Sequence, residues 1–217
     1  MNRPLFALFL YCISVSVATA APNENSASAI VQEMNIARQN PALYASYLEE
    51  LRGNFRGNLL VMPGQIPFRT KEGIRAVDEA IRFLRSAAPQ QPLAFSTGMS
   101  HAASDHCAEQ AGGGMSHSGR DGSNTGDRIN RYGIWSGTWG ENLACGRSGA
   151  RRIVMDLIID DGLRGRKHRA NIFNRDFNVA GAAVGSHATY GTICSIEFAG
   201  AYAERGQAPE LTLVARN

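Results

Sequence analysis

The sequence lacks the short motifs that identify a reaction. It contains no H-E-x-x-H, no paired C-x-x-C, no P-loop and no G-x-S-x-G. The local signatures of zincins, paired-cysteine metal sites, phosphate cradles and hydrolase nucleophile elbows are therefore missing. Charge of either sign is barely in excess. The net charge is +3, and the first twenty residues hold one Arg and no acid, so the remainder carries about +2. A nucleic-acid binder shows a stronger basic bias, so no nucleic-acid partner is expected. No internal repeat or low-complexity tract is visible. Cysteine is scarce, with only Cys107, Cys145 and Cys194 after the first twenty residues.

Long apolar runs are also missing, except for one near the start, residues 5–17. It follows Asn2 and Arg3 and precedes Ala18-Thr19-Ala20, a small-x-small cleavage site before Ala21. That is the form of a secretory signal, too short for a membrane span. The expectation is a signal peptide over 1–20 and a single domain over 21–217, with its core at about 30–200. The mature protein is expected to be exported, periplasmic or extracellular, with no membrane span. Export permits disulfides. Three cysteines leave one thiol over, and a Cys145–Cys194 bridge is the expected pairing. Cys107, inside a helical pattern, suits a small buried apolar residue.

Helical periodicity dominates the first two-thirds. Ile30, Val31, Met34, Ala37 and Arg38 form a stripe. Asn40 then caps, and Pro41 opens a second helix ending near Gly53. Residues 53–69 hold glycines and prolines and read as a surface excursion. Thr70 is expected to cap a helix carrying Ile74, Val77, Ala80, Ile81 and Leu84. Pro92-Leu93 reads as a docking point. Ser96 or Thr97 caps a helix through Gln110, stopped by Gly112-Gly113-Gly114. A polar loop follows, then a short helix over 127–132. Ser148 caps a helix that turns Ile153, Val154, Leu157 and Ile158 inward, and Gly162 ends it. His168 opens a short helical turn. Residues 179–184 and 190–199 read as strands. Helices first and strands late indicate an α+β domain, with helices covering both faces of a small sheet.

The chemistry centres on Trp139-Gly140-Glu141-Asn142-Leu143-Ala144. Glu141 stands where the chain enters an apolar stretch, and a carboxylate there needs a partner. His117 lies 24 residues before it and His168 lies 27 after. Two His and carboxylates in one cleft suit a divalent cation or acid–base work. The spacings match no local ligand motif. A turn histidine and a helix-start histidine are the plainer readings of His117 and His168. His101, Asp105 and His106 read as structural residues of one helix, and His187 as a turn residue. Tyr132, Trp135 and Trp139 read as packing. The cluster Arg151, Arg152, Arg164, Arg166, Lys167 and Arg169, interleaved with Asp156, Asp160 and Asp161, reads as a solvated face.

Three segments taken together resemble the CAP superfamily of cysteine-rich secretory, antigen 5 and pathogenesis-related 1 proteins, also called the SCP domain. They are His117-Ser118-Gly119, Gly140-Glu141-Asn142-Leu143-Ala144, and His168-Arg169-Ala170-Asn171-Ile172 followed by residues 179–185. The bacterial secreted branch is the most similar. The resemblance implies a three-layer α-β-α sandwich with a small central antiparallel sheet. It also implies a cleft lined by two His and two acids, which in some members binds Zn2+ or another divalent cation. His117, Glu141 and His168 match three of these positions. The second acid in the family follows a helix aromatic by about one turn. Leu157 takes the aromatic place here, so Asp160 is the match and Asp161 a neighbour.

Three functional readings follow. The favoured one is a monomeric, cation-dependent module that binds a lipid, a small ligand or a protein partner. The alternative is a metal-assisted hydrolase of peptides or esters, with Glu141 or Asp160 as base. In the third, the four residues tie the fold together through buried hydrogen bonds.

Overall fold

The computed structural model describes residues 26–147 and 149–206. The expected signal segment, the Ser148 cap and the tail from 207 lie outside the described residues. Helix α1 (Ala27–Gln39) and α2 (Pro41–Arg52) meet at Asn40. The Asn40 side chain accepts from Leu43 N, and Pro41 sits at the first helical turn, where its missing N–H costs nothing. Residues 53–69 are more regular than a surface excursion. They form a small antiparallel sheet of three two-residue strands, β1 (Phe55–Arg56), β2 (Leu59–Leu60) and β3 (Phe68–Arg69).

Helix α3 (Ile74–Ser86) begins four residues after its expected cap, because Thr70 Oγ1 donates instead to Asn58 O. The carboxylate of Asp161 accepts from Lys71 N and Glu72 N just ahead of the helix. Strand β4 (Ala94–Phe95) follows Leu93. Ser96 then caps α4 (Thr97–Gln110) by accepting from Met99 N. Asn124 and Asp127 form a reciprocal capping box at α5 (Thr125–Asn130). The remaining elements are β5 (Gly133–Cys145), α6 (Ala150–Ile159), α7 (Lys167–Ile172), β6 (Val179–His187) and β7 (Gly191–Glu204).

The central sheet has the order β4-β6-β7-β5. Its three long strands are antiparallel, and short β4 adds a parallel edge against β6. Strand β7 lies between two partners and is buried on both faces. Cys194, Ile196 and Phe198 point into a core built with α1, α2, α3 and α6. Ala199 points to the other side, among Met99 and Ala102 of α4 and Ile129 of α5. Each fully buried side chain the size of Ile196 or Phe198 contributes roughly 1.5–3 kcal/mol. The domain is the expected α-β-α sandwich. Helix α4 crosses so close to β6 that a Cβ on Gly181 would stand 2.3 Å from Ser100 N. Only glycine fits that contact.

Two further expectations change. Cys107, Cys145 and Cys194 are free thiols. Cys194 pairs across the strands with Ala144, while Cys145 pairs with Ile193. The two sulfurs therefore leave opposite faces of the sheet, since successive strand residues alternate, and no bridge joins them. The basic cluster is not wholly solvated either. Arg169 is buried, donates to both oxygens of Glu79 and to Ile158 O, and lies over the Phe83 ring. It fastens α7 to α3 and α6.

Candidate functional site

Glu141 lies on β5 directly across from Glu197 on β7, so the two carboxyls share one face of the sheet. The glycine before it leaves room for Phe177, because a Cβ on Gly140 would lie 2.7 Å from that ring and displace it. The Glu141 side chain is buried, and both its oxygens are used. Oε1 stands 2.5 Å from His117 Nδ1, and Oε2 accepts from Arg128. Arg128, fully buried on α5, also donates to His117 O and Ser123 O, and to Thr125 Oγ1. One guanidinium therefore holds both the acid and the loop that carries the histidine.

A second pair forms where α6 hands over to α7. Asp160 takes a left-handed conformation as the C-cap of α6. Its Oδ1 stands 2.8 Å from His168 Nδ1, and its Oδ2 accepts from His168 N at 2.9 Å. Asp161 bonds elsewhere, to the chain at 71–72. An amide clasp ties the pairs together: Asn171 donates to Glu141 O and Asn142 Oδ1, and Asn142 donates to His168 O.

His117, Glu141 and His168 line one cavity of about 650 Å³, with Met115, Leu143 and Lys167. Asp160 lines an adjoining cavity of about 430 Å³ that shares Met115, Leu143 and His168 with the first. A separate cavity of about 660 Å³ lies between α1, α2 and α6, and no histidine lines it.

The four expected residues thus form two histidine–carboxylate pairs. Among the described residues, no group of three or more His, Cys, Asp or Glu side chains is placed to hold a metal ion. Each carboxylate already serves an imidazole. In both rings Nδ1 faces a carboxylate, so Nδ1 carries the proton and Nε2 is the atom available to a ligand. Metal-binding histidines are commonly held in this way, by an acid on the other ring nitrogen. In each pair the acid stands behind the ring, on the Nδ1 side.

The charges follow from the contacts. Burial opposes ionisation of Glu141, but the His117 hydrogen bond and the Arg128 and His106 charges outweigh it and hold the carboxyl below its usual range. The same hydrogen bond raises His117. Glu197 is pushed well above the usual carboxylate range, first by burial and then by the Glu141 charge. Its Oε2 has no hydrogen-bond partner.

Four contributors were not foreseen. His106, read as a structural helix residue, is fully buried and stands 3.7 Å from Glu141 Oε2. It also faces Ser116 O at 2.8 Å and Glu109 at 3.2 Å, which pins the loop before His117. Arg128 leaves no signal in spacing. Glu197 does leave one: it is the lone acid in the apolar run 193–199. His187 ends β6 and faces Gly114 O at 2.8 Å, so it too anchors this loop.

A three-layer sandwich with two histidine–carboxylate pairs at one cleft is the arrangement that the resemblance to CAP proteins implies. A family model described as the cysteine-rich secretory protein family, CAP, matches residues 74–198, more than half of the chain. The chain belongs to that family. Similar solved structures include an outer surface protein from Borrelia burgdorferi, at 18% identity over 51% of this chain and 78% of that one, TM-score 0.42. An extracellular SCP-domain protein from Bacillus anthracis str. Ames matches at 20% identity over 58% of this chain and 39% of that one, TM-score 0.42. A cysteine-rich secretory protein from Staphylococcus aureus subsp. aureus Mu50 matches at 15% identity, 59% and 38% coverage, and TM-score 0.37. No curated protein matches the chain.

Proposed function

We propose that this CAP-domain protein is a secreted binding module. Its cleft holds a divalent cation, Zn2+ or one of similar chemistry, between the Nε2 atoms of His117 and His168. The observation that carries this reading is the pair of imidazoles on one cavity wall, each bound through Nδ1 to a buried carboxylate. A bound cation would polarise an oxygen of the ligand. Beside it, Arg164 and Lys167 line the cavity together with Met115, Leu143 and Leu163. Such a wall suits an amphipathic anion, such as a lipid with an acidic head. A metal-assisted hydrolase is less well supported. Both oxygens of Glu141 and both of Asp160 already accept hydrogen bonds, which leaves neither acid free as a base.

The test is zinc titration by calorimetry on the protein without residues 1–20, beside the His117→Ala/His168→Ala double variant. Saturable binding that the double variant loses is expected. Equal binding by the two proteins, or none by the folded wild type, would remove the metal reading. Asp160→Asn should weaken zinc binding by about 10–100-fold, the usual effect of losing an acid behind a ligating histidine.

A further inference from the structure

The loop after α4 brings a second kind of donor to the cleft. Met115 Sδ lies 3.9 Å from Cys145 Sγ, although the two are 30 residues apart in the chain. Both line the cavity of about 430 Å³. Met115 is 55% exposed and Cys145 is half-buried, so solvent reaches the pair. Cys145 is the last residue of β5 and shares a sheet face with Glu141 and Leu143 by alternation. Cys107 and Cys194 are both buried in the core. Among the described residues, Cys145 is therefore the thiol open to a ligand.

We propose that Cys145 and Met115 form a binding site for Cu(I) beside the two-histidine site. Thiolate and thioether are soft donors that select Cu(I), whereas thioether contributes little to the binding of harder divalent ions. The spacing suits one shared ion. With metal–sulfur bonds of about 2.3 Å, sulfurs 3.9 Å apart subtend about 116° at the metal. That angle lies between trigonal and tetrahedral values, so neither sulfur has to move. His168 lines the same cavity and can offer a third donor. Binding replaces the S–H bond of Cys145 with a sulfur–copper bond and releases the proton to solvent. The copper stays Cu(I), so no oxidant or reductant is consumed.

The experiment is an anaerobic Cu(I) titration of the full chain without residues 1–20, in competition with a chromophoric Cu(I) chelator. The wild type should bind one equivalent and release about one proton. Cys145→Ser and Met115→Leu should each weaken Cu(I) binding at least tenfold. Met115 is exposed, so its substitution keeps the fold and the comparison remains valid. His117→Ala, which leaves Cys145, Met115 and His168 in place, should retain Cu(I). Three results would overturn the proposal: no Cu(I) binding by the wild type, undiminished binding by Met115→Leu, or loss of Cu(I) from His117→Ala.

Discussion

Glu141 gives both its oxygens to positively charged or proton-donating neighbours, and its environment depends on that. The Arg128–Glu141 pair is fully buried. Removing one partner strands the other charge, so Arg128→Met should destabilise the domain by about 3–5 kcal/mol in urea unfolding. Glu197 behaves in the opposite way. Its carboxyl is held protonated by burial and by the Glu141 charge. A folded pKa above the unfolded value means that stability is fully present below the unfolded value of 4.5 and falls as pH rises toward the folded one. Glu197→Gln keeps the shape and removes the titration. It should exceed the wild type in stability at pH 7, by up to about 1.4 kcal/mol for each pH unit above the unfolded pKa. The two should converge near pH 4, and a glutamine variant less stable at pH 7 would refute this account. His117 has a raised pKa too, so its contribution is complete below 6.5 and is lost as pH rises through the folded value. An NMR titration should find that value lowered in Glu141→Gln.

At the scale of elements, close approach and capping set the geometry. Helix α4 rests on Gly181, and a side chain there meets its backbone. Gly181→Ala should cost about 1–3 kcal/mol through forced separation of α4 from β6, read as a lower melting temperature. Asn40 ends one helix and starts the next, and Asn40→Ala should cost about 1 kcal/mol. These elements were legible because their signals are local. Asn40-Pro41, Ser96 and the stripe on α3 each declare themselves within a few residues. Strand β5 was not legible. Its 13 residues include four that are exposed or glycine around the irregularity between Ser136 and Trp139, so no alternation runs through it. Strands β1 to β4 have two residues each, too few for any period to appear.

Across the whole molecule, the sheet divides the cysteines. Cys194 faces the core under α1 and α3, Cys107 on α4 packs against β6, and Cys145 opens to the cleft. Burial pushes the Cys107 thiol up to about 12 and the Cys194 thiol well above its usual value. Alkylation of the native protein should therefore label Cys145, and labelling of Cys107 and Cys194 should wait for unfolding. Native mass spectrometry that found a bridge between Cys145 and Cys194 would contradict the strand register.

The sequence by itself determined the helices, the two late strands and the sandwich class through its resemblance, and it singled out His117, Glu141, His168 and Asp160 as candidates. Those features rest on patterns that each occupy a short stretch, or on an ordered set of such stretches. Only the tertiary structure decided how the four residues combine. Pairing each imidazole with one acid depends on strand register and on the left-handed cap at Asp160, both set by packing distant segments together. The same packing placed Arg128 and Glu197 beside Glu141 and brought Met115 to Cys145. It also parted Cys145 from Cys194, because a shift of one residue in register exchanges the two faces of a sheet.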